Sequence, residues 1–451
     1  MERQQDYVLR TVEERGVRFV QLWFSDVLGT PKHFDITPAE LEDALEEGMT
    51  FDGSSIDGFS RVQESDMLAK PDPKTFQLLP RSADEAVTAR MFCDIHNLDG
   101  SPFEGDPRHV LRRALERARH RGFSFFVAPE MEFFYFGSGD PARAIEPLDS
   151  GSYFDLIAPD LTGDLRKRTI LTLEEMGIPV EYSQHEDAPS QHEIDLRYTD
   201  ALTMADTVVT FRLLVKEIAM ERGAHATFMP KPLAGQQGSG MHTHLSLFEG
   251  DANAFAEPGD PYGLSPVAKG FIAGLLAHAR EITAVTNQWV NSYKRLVKGY
   301  EAPVYVSWAR NNRSALVRVP VVKKGHPEST RVEFRSPDPA CNPYLAFSLL
   351  LAAGLRGIEE GYALPEEASA NLYEASANLY DMSPEELLAE KIESLPGSLA
   401  EAVTEMELSE LVAETLGEHV FEWFTRNKWA EWTGYKSQVS QWELDRYLPT
   451  L

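Results

Sequence analysis

The stretch Ala128-Pro129-Glu130-Met131-Glu132-Phe133-Phe134-Tyr135-Phe136 decides how this chain is read. Residues i and i+2 of a β-strand share a face, so Glu130 and Glu132 point one way while Met131 and Phe133 point the other. The four aromatic residues that close the stretch mark the strand as buried. Carboxylates on a buried strand are costly unless a cation or a partner charge balances them. Three further segments repeat the pattern: Glu193-Ile194-Asp195-Leu196-Arg197, His242-Thr243-His244-Leu245-Ser246 and Arg331-Val332-Glu333-Phe334-Arg335. Each sets carboxylates, imidazoles or guanidiniums on one side and mostly apolar residues on the other. The expectation is a metal-lined cavity built on strands.

Taken singly, each segment has a plain explanation. Glu130 and Glu132 fit a solvated strand, Gln184-His185-Glu186-Asp187 a charged loop, and Glu333 a salt-bridged strand. His242, after Gly238-Ser239-Gly240-Met241, fits a structural histidine. Together, Glu130, Glu132, Glu186, Glu193, Glu333 and His242 suit a hard divalent cation, Mg²⁺ or Mn²⁺, better than zinc or copper. Carboxylate-rich sites without cysteine often carry two ions that clamp a phosphate. The arginines Arg295, Arg313, Arg318, Arg331 and Arg335 supply the other half. Val317, Val319, Val332 and Phe334 alternate with them, which places these arginines on half-buried strands. Guanidinium forks match phosphate and carboxylate oxygens two at a time. Metals plus arginines imply a transferring phosphoryl group stabilised electrostatically. No P-loop motif occurs, and Gly238-Ser239-Gly240 is too short for a dinucleotide fingerprint. Residues 291–303, with Gly299 and Pro303 around Glu301, read as a mobile flap in which Glu301 is a general base or a charged gate; a simple surface loop is the alternative.

At 451 residues two domains are expected, with a boundary near residue 105: 1–105 and 106–451. Apolar residues make up 43%, enough for ordinary globular packing. The formal charge of −28 argues against nucleic acid or an anionic membrane as the main partner. Cys93 and Cys341 form no spacing motif, no apolar run is long enough to span a membrane, and the start has no signal-peptide pattern. The expectation is a cytoplasmic protein. The first hundred residues look strand-rich, with a strand over 17–24, a turn over 26–31, and a helix start at Thr37-Pro38. Asp106 and Pro107 open a helix whose stripe is Val110, Leu111, Ala114, Leu115 and Ala118. Helical periods run over 201–221, 266–282, 343–359 and 408–432. Residues 367–373 are repeated at 374–380, a local duplication and not a solenoid.

These motifs resemble type I glutamine synthetase over nearly the whole chain. The matching stretches are Phe51-Asp52-Gly53-Ser54-Ser55-Ile56, residues 128–134, Lys231-Pro232-Leu233 with residues 238–242, the Glu301 loop, Asn312-Arg313-Ser314, and residues 331–335 with Asn342-Pro343-Tyr344. The resemblance implies an α+β fold: a small β-grasp-like N-terminal domain and a large catalytic ATP- and metal-binding domain. The large domain would have a curved antiparallel sheet flanked by helices and a helical C-terminal region. The resemblance also implies a homo-dodecamer of two hexameric rings with active sites between subunits. It assigns Glu132, Glu186 and Glu193 to one divalent ion and Glu130, His242 and Glu333 to another. Gly238, Arg295 and Arg335 match positions that hold glutamate. Glu181, His244, Ser246 and Arg331 match nucleotide-site positions, and Arg313 and Arg318 phosphate-binding ones. Asp52 and Ser55 of a neighbour, with Tyr153, match the ammonium pocket. Glu301 matches the flap residue that takes a proton from ammonium. The implied reaction joins ammonia to the γ-carboxylate of glutamate through γ-glutamyl phosphate, at the expense of ATP.

The chain departs from the family pattern in places. Lys298 stands where the flap usually has proline, which implies a looser flap. Gln237 replaces a common asparagine, Met131 a proline and Gln184 a histidine. The insertion of the longer, adenylylated class is absent, so no modification is expected at Tyr380, which faintly resembles the modified tyrosine. Arg61 matches a position tied to feedback by glutamine in the shorter class. One alternative is a sibling enzyme that γ-glutamylates a polyamine or other amine, which residues 287–290 and the C-terminal helices also resemble. A non-catalytic homologue would have lost metal ligands, and a guanidino-group kinase would lack the acidic ammonium pocket; this sequence has both features.

Overall fold

Fourteen residues, Phe123–Phe136, form one strand whose alternation seats the large sheet. Phe125, Val127, Met131, Phe133 and Tyr135 enter the main core, joined there by Ile194, Leu196, Leu245, Leu247, Val332 and Phe334 of neighbouring strands. The computed structural model describes residues 2–58, 66–80, 86–156, 161–310, 312–368 and 393–451. Arg61, Tyr373, Tyr380 and nearly all of the duplication lie outside the described residues.

The N-terminal strands are β1 (Phe19–Ser25), β2 (Pro31–Ile36), β3 (Met49–Asp52), β4 (Asp66–Pro71), β5 (Gln77–Leu78) and β6 (Thr88–His96). They pair in the order β2-β1-β6-β4-β3, with β5 on β6. Only β1 and β6 run parallel among them. Helices α1 (Glu2–Glu14) and α2 (Leu41–Glu46) cover one face, burying Val8, Val12, Leu41 and Ala44 against Val20, Leu22, Phe24 and Met91. This is the small β-grasp domain.

The second sheet comprises β7 (Phe123–Phe136), β8 (Val180–His185), β9 (Gln191–Leu196), β10 (Thr199–Asp200), β11 (His225–Thr227), β12 (Met241–Glu249), β13 (Ala252–Asn253), β14 (Trp308–Ala309), β15 (Val317–Arg318) and β16 (Val332–Phe334). Its order is β14-β15-β16-β12-β7-β9-β8, with β10 and β11 on β7 and β13 on β12. All pairs are antiparallel except the short β14–β15 contact. The flanking helices are α3 (Pro107–His120), α4 (Leu161–Glu175), α5 (Ala201–Glu221), α6 (Pro266–Ala277), α7 (Ala279–Thr286), α8 (Ser292–Arg295) and α9 (Pro343–Glu359). The C-terminal region adds Leu399–Glu407, Glu410–Leu416, Glu418–Lys436 and Gln441–Tyr447. No helix among the described residues is long and apolar enough to cross a membrane.

Caps account for several helix starts. Asp106 accepts the Arg108 N–H at 2.9 Å, with Pro107 as the first helical residue of α3. Asp200 and Asn342 cap α5 and α9 in the same way. Four expectations need correction. The period over 266–282 is two helices, because the chain turns at His278. The period over 408–432 is interrupted at Gly417, whose φ of 79° no helix can carry. Pro38 opens a 3₁₀ turn, and the Thr37 side chain makes no cap. Of the five arginines only Arg318 lies within a strand. Arg331 and Arg335 flank β16, Arg295 ends α8, and Arg313 sits exposed on a loop.

The two domains are joined through a buried ion cluster. Arg108 of α3, 3% exposed, reaches Asp72 at 3.1 Å and Asp206 of α5 at 2.9 Å, and also pairs with Asp94 of β6. The Tyr344 hydroxyl donates to Asp206 at 2.6 Å. Burial would raise the Asp94 carboxyl, but Arg108 and Arg112 outweigh it and hold it below its usual range. Its stabilising contribution is therefore present above the ordinary carboxylate pKa and is lost only as pH falls through the depressed value. Arg108→Ala would leave buried Asp206 without its guanidinium, while Arg112 still pairs with Asp72 and Asp94, and a stability loss of about 3–5 kcal/mol is expected in denaturant titration. A loss within experimental error would show that the cluster does not hold the domains.

Candidate active site

Pairing register brings the polar positions of six strands into rows on one face of the large sheet. Residues directly opposite across a ladder point the same way. One row is His242–Glu130–Asp195, the next Glu132–Glu193–Gln184, and a third Arg318–Glu333–His244. The opposite parity of the same strands fills the core. The acids are thus forced together by the apolar residues between them.

A cavity of about 530 Å³ opens over this face. Glu130, Glu132, Glu186, Glu193 and His242 line it, as do Gly238, Arg295, Arg335, Tyr153, Glu301, Arg313 and Arg318. Glu333 lies beneath, fully buried between Arg318 and Arg335, and pairs with both. A second cavity of about 510 Å³ is lined by Glu181, His244, Ser246 and Arg331. The two share Glu130, Asp195 and Arg318 as a common wall. Asp52 and Ser55 line neither cavity. Both are exposed on the small domain, where the Asp52 carboxylate accepts the Ser54 N–H at 2.8 Å.

The electrostatics divide the site in two. Burial would raise Glu130, but hydrogen bonds from His242 (2.9 Å) and His244 (2.7 Å) outweigh it and hold the carboxyl well below its usual range. Burial is likewise outweighed at Glu333, chiefly by Arg335 and His244. Oxygen or nitrogen atoms of Glu130, His242 and Glu333 lie within 4.8 Å of one another, a spacing one ion can span. The other half has acids and few cations. Burial, then the Glu132 charge, pushes Glu186 up to about 9. Burial with Asp195 and Glu132 pushes Glu193 well up, and burial with Glu130 lifts Asp195 to about 8. The Gln184 amide nitrogen bridges Glu186 and Glu193, leaving its own oxygen buried without a partner among the described residues. Glu132 accepts the Gly240 N–H at 2.9 Å and the Gln191 amide at 3.1 Å. Such a concentration of oxygens, short of positive charge, fits a hard divalent cation.

Arg295 donates to the Ser336 and Arg335 carbonyls and packs against the glycine loop. A Cβ on Gly240 would stand 2.4 Å from its guanidinium, so a side chain there would displace it. The flap leaves α8 and passes Gly299 to Glu301, whose φ of 55° is rare for a non-glycine residue. Lys298, at the position where proline is common, has its Nζ 5.2 Å from the Tyr305 ring and so bridges the two limbs of the flap.

Sequence reasoning gave no role to several lining residues. Asp195, Tyr182, Gln191, Asn312, Ser314 and Tyr300 face the first cavity. Phe126, Tyr198 and Phe248 form an aromatic wall in the second, with ring centroids 5.9 and 5.0 Å apart. Two-residue parity from Glu193 marks Asp195, and the same parity from His244 marks Phe248. A separate Asp149–His185–His192 cluster also has donors within 4.8 Å. There Arg166 approaches His192 Nδ1 at 2.6 Å, and Ser190 and Gly151 N–H groups with the Thr162 hydroxyl fill the Asp149 carboxylate. It is a hydrogen-bonded brace.

Carboxylates facing guanidiniums beside an aromatic cleft, on a sheet joined to a β-grasp domain, define a metal-assisted phosphoryl-transfer enzyme. Comparison with known proteins narrows the class. The model of the glutamine synthetase catalytic domain matches residues 104–447, and that of the glutamine synthetase beta-Grasp domain residues 16–98. The glutamine synthetases of Mycolicibacterium smegmatis and Mycobacterium tuberculosis H37Rv are each 57% identical over 451 residues, covering 99% of this chain and all of theirs. That of Thermotoga maritima is 48% identical over 442 residues, 98% of both chains. Among solved structures, the Plasmodium falciparum glutamine synthetase has a TM-score of 0.88 at 26% identity over 98% of each chain. A GmaS/ADP complex has 0.85 at 33% identity, covering 98% of this chain and 99% of the other. The chain belongs to the glutamine synthetase family.

Glu186, pushed up to about 9, keeps its proton near neutrality until a cation displaces it, and Glu193 is pushed in the same direction. Mg²⁺ or Mn²⁺ uptake should therefore release protons, with an affinity that rises from neutral pH towards 9. Calorimetry in buffers of differing ionisation heat reads those protons; a pH-independent affinity without proton release would contradict the electrostatics.

Proposed function

We propose that this chain makes glutamine from glutamate and ammonia with ATP, using Mg²⁺ or Mn²⁺. One observation carries the reading: the acid-lined cavity and the aromatic cleft meet at Glu130, Asp195 and Arg318, so a phosphoryl group held at the wall is presented to a substrate in the first cavity. Relatives 57% identical over the full length, named glutamine synthetase, favour ammonia over a larger amine as acceptor.

In this reading ATP lies in the second cavity against Glu181, His244, Ser246 and Arg331, its base beside Phe126, Tyr198 and Phe248. Glutamate lies in the first, with Gly238, Arg295 and Arg335 holding it. Glu132, Glu186 and Glu193 hold one divalent ion and Glu130, His242 and Glu333 another; bound there, the ions offset phosphate charge. Arg313 and Arg318 meet the transferring phosphoryl group, whose charge their guanidiniums stabilise. The glutamate γ-carboxylate attacks the γ-phosphorus, ADP departs, and γ-glutamyl phosphate forms. Asp52 and Ser55, with Tyr153, bind ammonium. Glu301 takes a proton from it, ammonia attacks the acyl carbon, and phosphate leaves.

The reading extends to assembly. The exposed placement of Asp52 and Ser55, away from both cavities, supports sites completed by a neighbouring copy, as in a dodecamer of two hexameric rings. The helix start at Asp106 supports a domain boundary at 105, giving 1–105 and 106–451. Two buried free cysteines accord with a cytoplasmic location.

Phosphate release and amide formation, measured with ammonium, putrescine, spermidine, ethanolamine and hydroxylamine in turn, test the acceptor. Ammonium should give glutamine and phosphate in equal amounts; an amide from a polyamine and none from ammonium would overturn the reading in favour of the sibling activity. Glu301→Ala should lower amide formation roughly 10²–10⁴-fold while sparing metal uptake. Undiminished turnover would remove the proton-accepting role.

A further inference from the structure

Lys231 joins the tip of the flap to the glycine loop, and the mechanism above does not use it. Its main chain is pinned by Asn291: the Lys231 N–H donates to Asn291 Oδ1 at 2.7 Å, and Asn291 Nδ2 donates to the Lys231 carbonyl at 3.1 Å. Asn291 immediately precedes α8, which carries Arg295 and runs into the flap. The flap's stem is therefore fixed to the Lys231 segment. The side chain goes further. Its ammonium donates to the Gln236 carbonyl, in the loop before Gly238, and lies 3.6 Å from the centre of the Tyr300 ring. Tyr300 is next to Glu301, and both line the acid-rich cavity.

Two observations set this contact apart from a chance surface pairing. Glu301 is in the left-handed region, a conformation that persists only when surrounding contacts hold it. Among the described residues neither Tyr300 nor Glu301 makes a side-chain hydrogen bond, so the ammonium under its ring is the polar contact that holds the Tyr300 side chain. The ammonium is itself partly withdrawn from water, with a carbonyl on one side and a π-face on the other.

We propose that Lys231 is a positioning residue that latches Tyr300, and with it Glu301, over the cavity, and so shields the acyl phosphate from water. The inference rests on the ligase reading given above. With the latch open, water attacks the acyl carbon of γ-glutamyl phosphate: its oxygen forms the new C–O bond, the bond from that carbon to the phosphate oxygen breaks, and a proton goes to solvent. Glutamate and phosphate result, and ATP is consumed with no amide made.

Phosphate and glutamine are measured together in the full-length protein, with saturating ATP, Mg²⁺ and glutamate and with ammonium varied. Wild type should give equal amounts. Lys231→Met should raise ammonium-independent phosphate release roughly threefold to thirtyfold, the strength of a cation–π contact expressed as a rate. Lys231→Arg, which keeps charge and stacking, should restore coupling. Tyr300→Ala, at the half-buried other end of the contact, should reproduce the leak and serves if Lys231→Met does not fold. Equal phosphate and glutamine in Lys231→Met or Tyr300→Ala would overturn the latch while leaving the ligase reading standing. A wild type that makes no glutamine would overturn both.

Discussion

A sheet that buries carboxylates on one face is the constraint from which the molecule follows. Strand parity leaves no freedom: with Met131, Phe133, Ile194, Leu245, Val332 and Phe334 in the core, Glu130, Glu132, Glu193, Asp195, His242 and Glu333 must share the other face. A one-residue slip would drive acids into the core and aromatics into the cavity. The hydrophobic effect on one side therefore fixes the electrostatics on the other. Ligand groups from distant parts of the chain stay in register because greasy neighbours hold them.

Counter-charges then decide what each acid does. Glu333 sits between two arginines and Glu130 between two histidines, so both stay ionised without a metal. Glu186 and Glu193 face the Gln184 amide and further acids instead, and both carboxyls are pushed up. The face is graded, from compensated charge beside Arg318 to uncompensated oxygen beside Gln184. The two cavities share the wall where that grading turns, at Glu130, Asp195 and Arg318. The surrounding scaffold is cross-linked by buried polar contacts. Buried Arg108 joins the domains, and Arg295 is fixed by backbone carbonyls.

Much of this was legible in the sequence, for definite reasons. The period over 201–221 returns as α5 and that over 343–359 as α9, because each has an Asp or Asn cap and an uninterrupted apolar pattern. Periodicity could not show the break at His278, since the helices on either side both continue the apolar pattern. Gly417 did carry a signal, as a lone glycine inside a helical run. Helix α1 went unread: it is short of apolar residues, with Val8 and Val12 its inward anchors. Around the cavity, the residues singled out for metal and phosphate chemistry stand together, while Asp52 and Ser55 stand apart, exposed on the small domain. Asp195 and Phe248 were visible by parity and passed over. Asn312 and Tyr300 were hidden by their loops, where no period exists to place a side chain.

The central claim is that six side chains from five separate stretches converge on two divalent ions. Anomalous diffraction from crystals grown with Mn²⁺ and a non-hydrolysable ATP analogue tests it most directly. Two manganese peaks are predicted, one against Glu130, His242 and Glu333 and one against Glu132, Glu186 and Glu193. A well-ordered site holding the analogue with no metal at either trio would contradict the account.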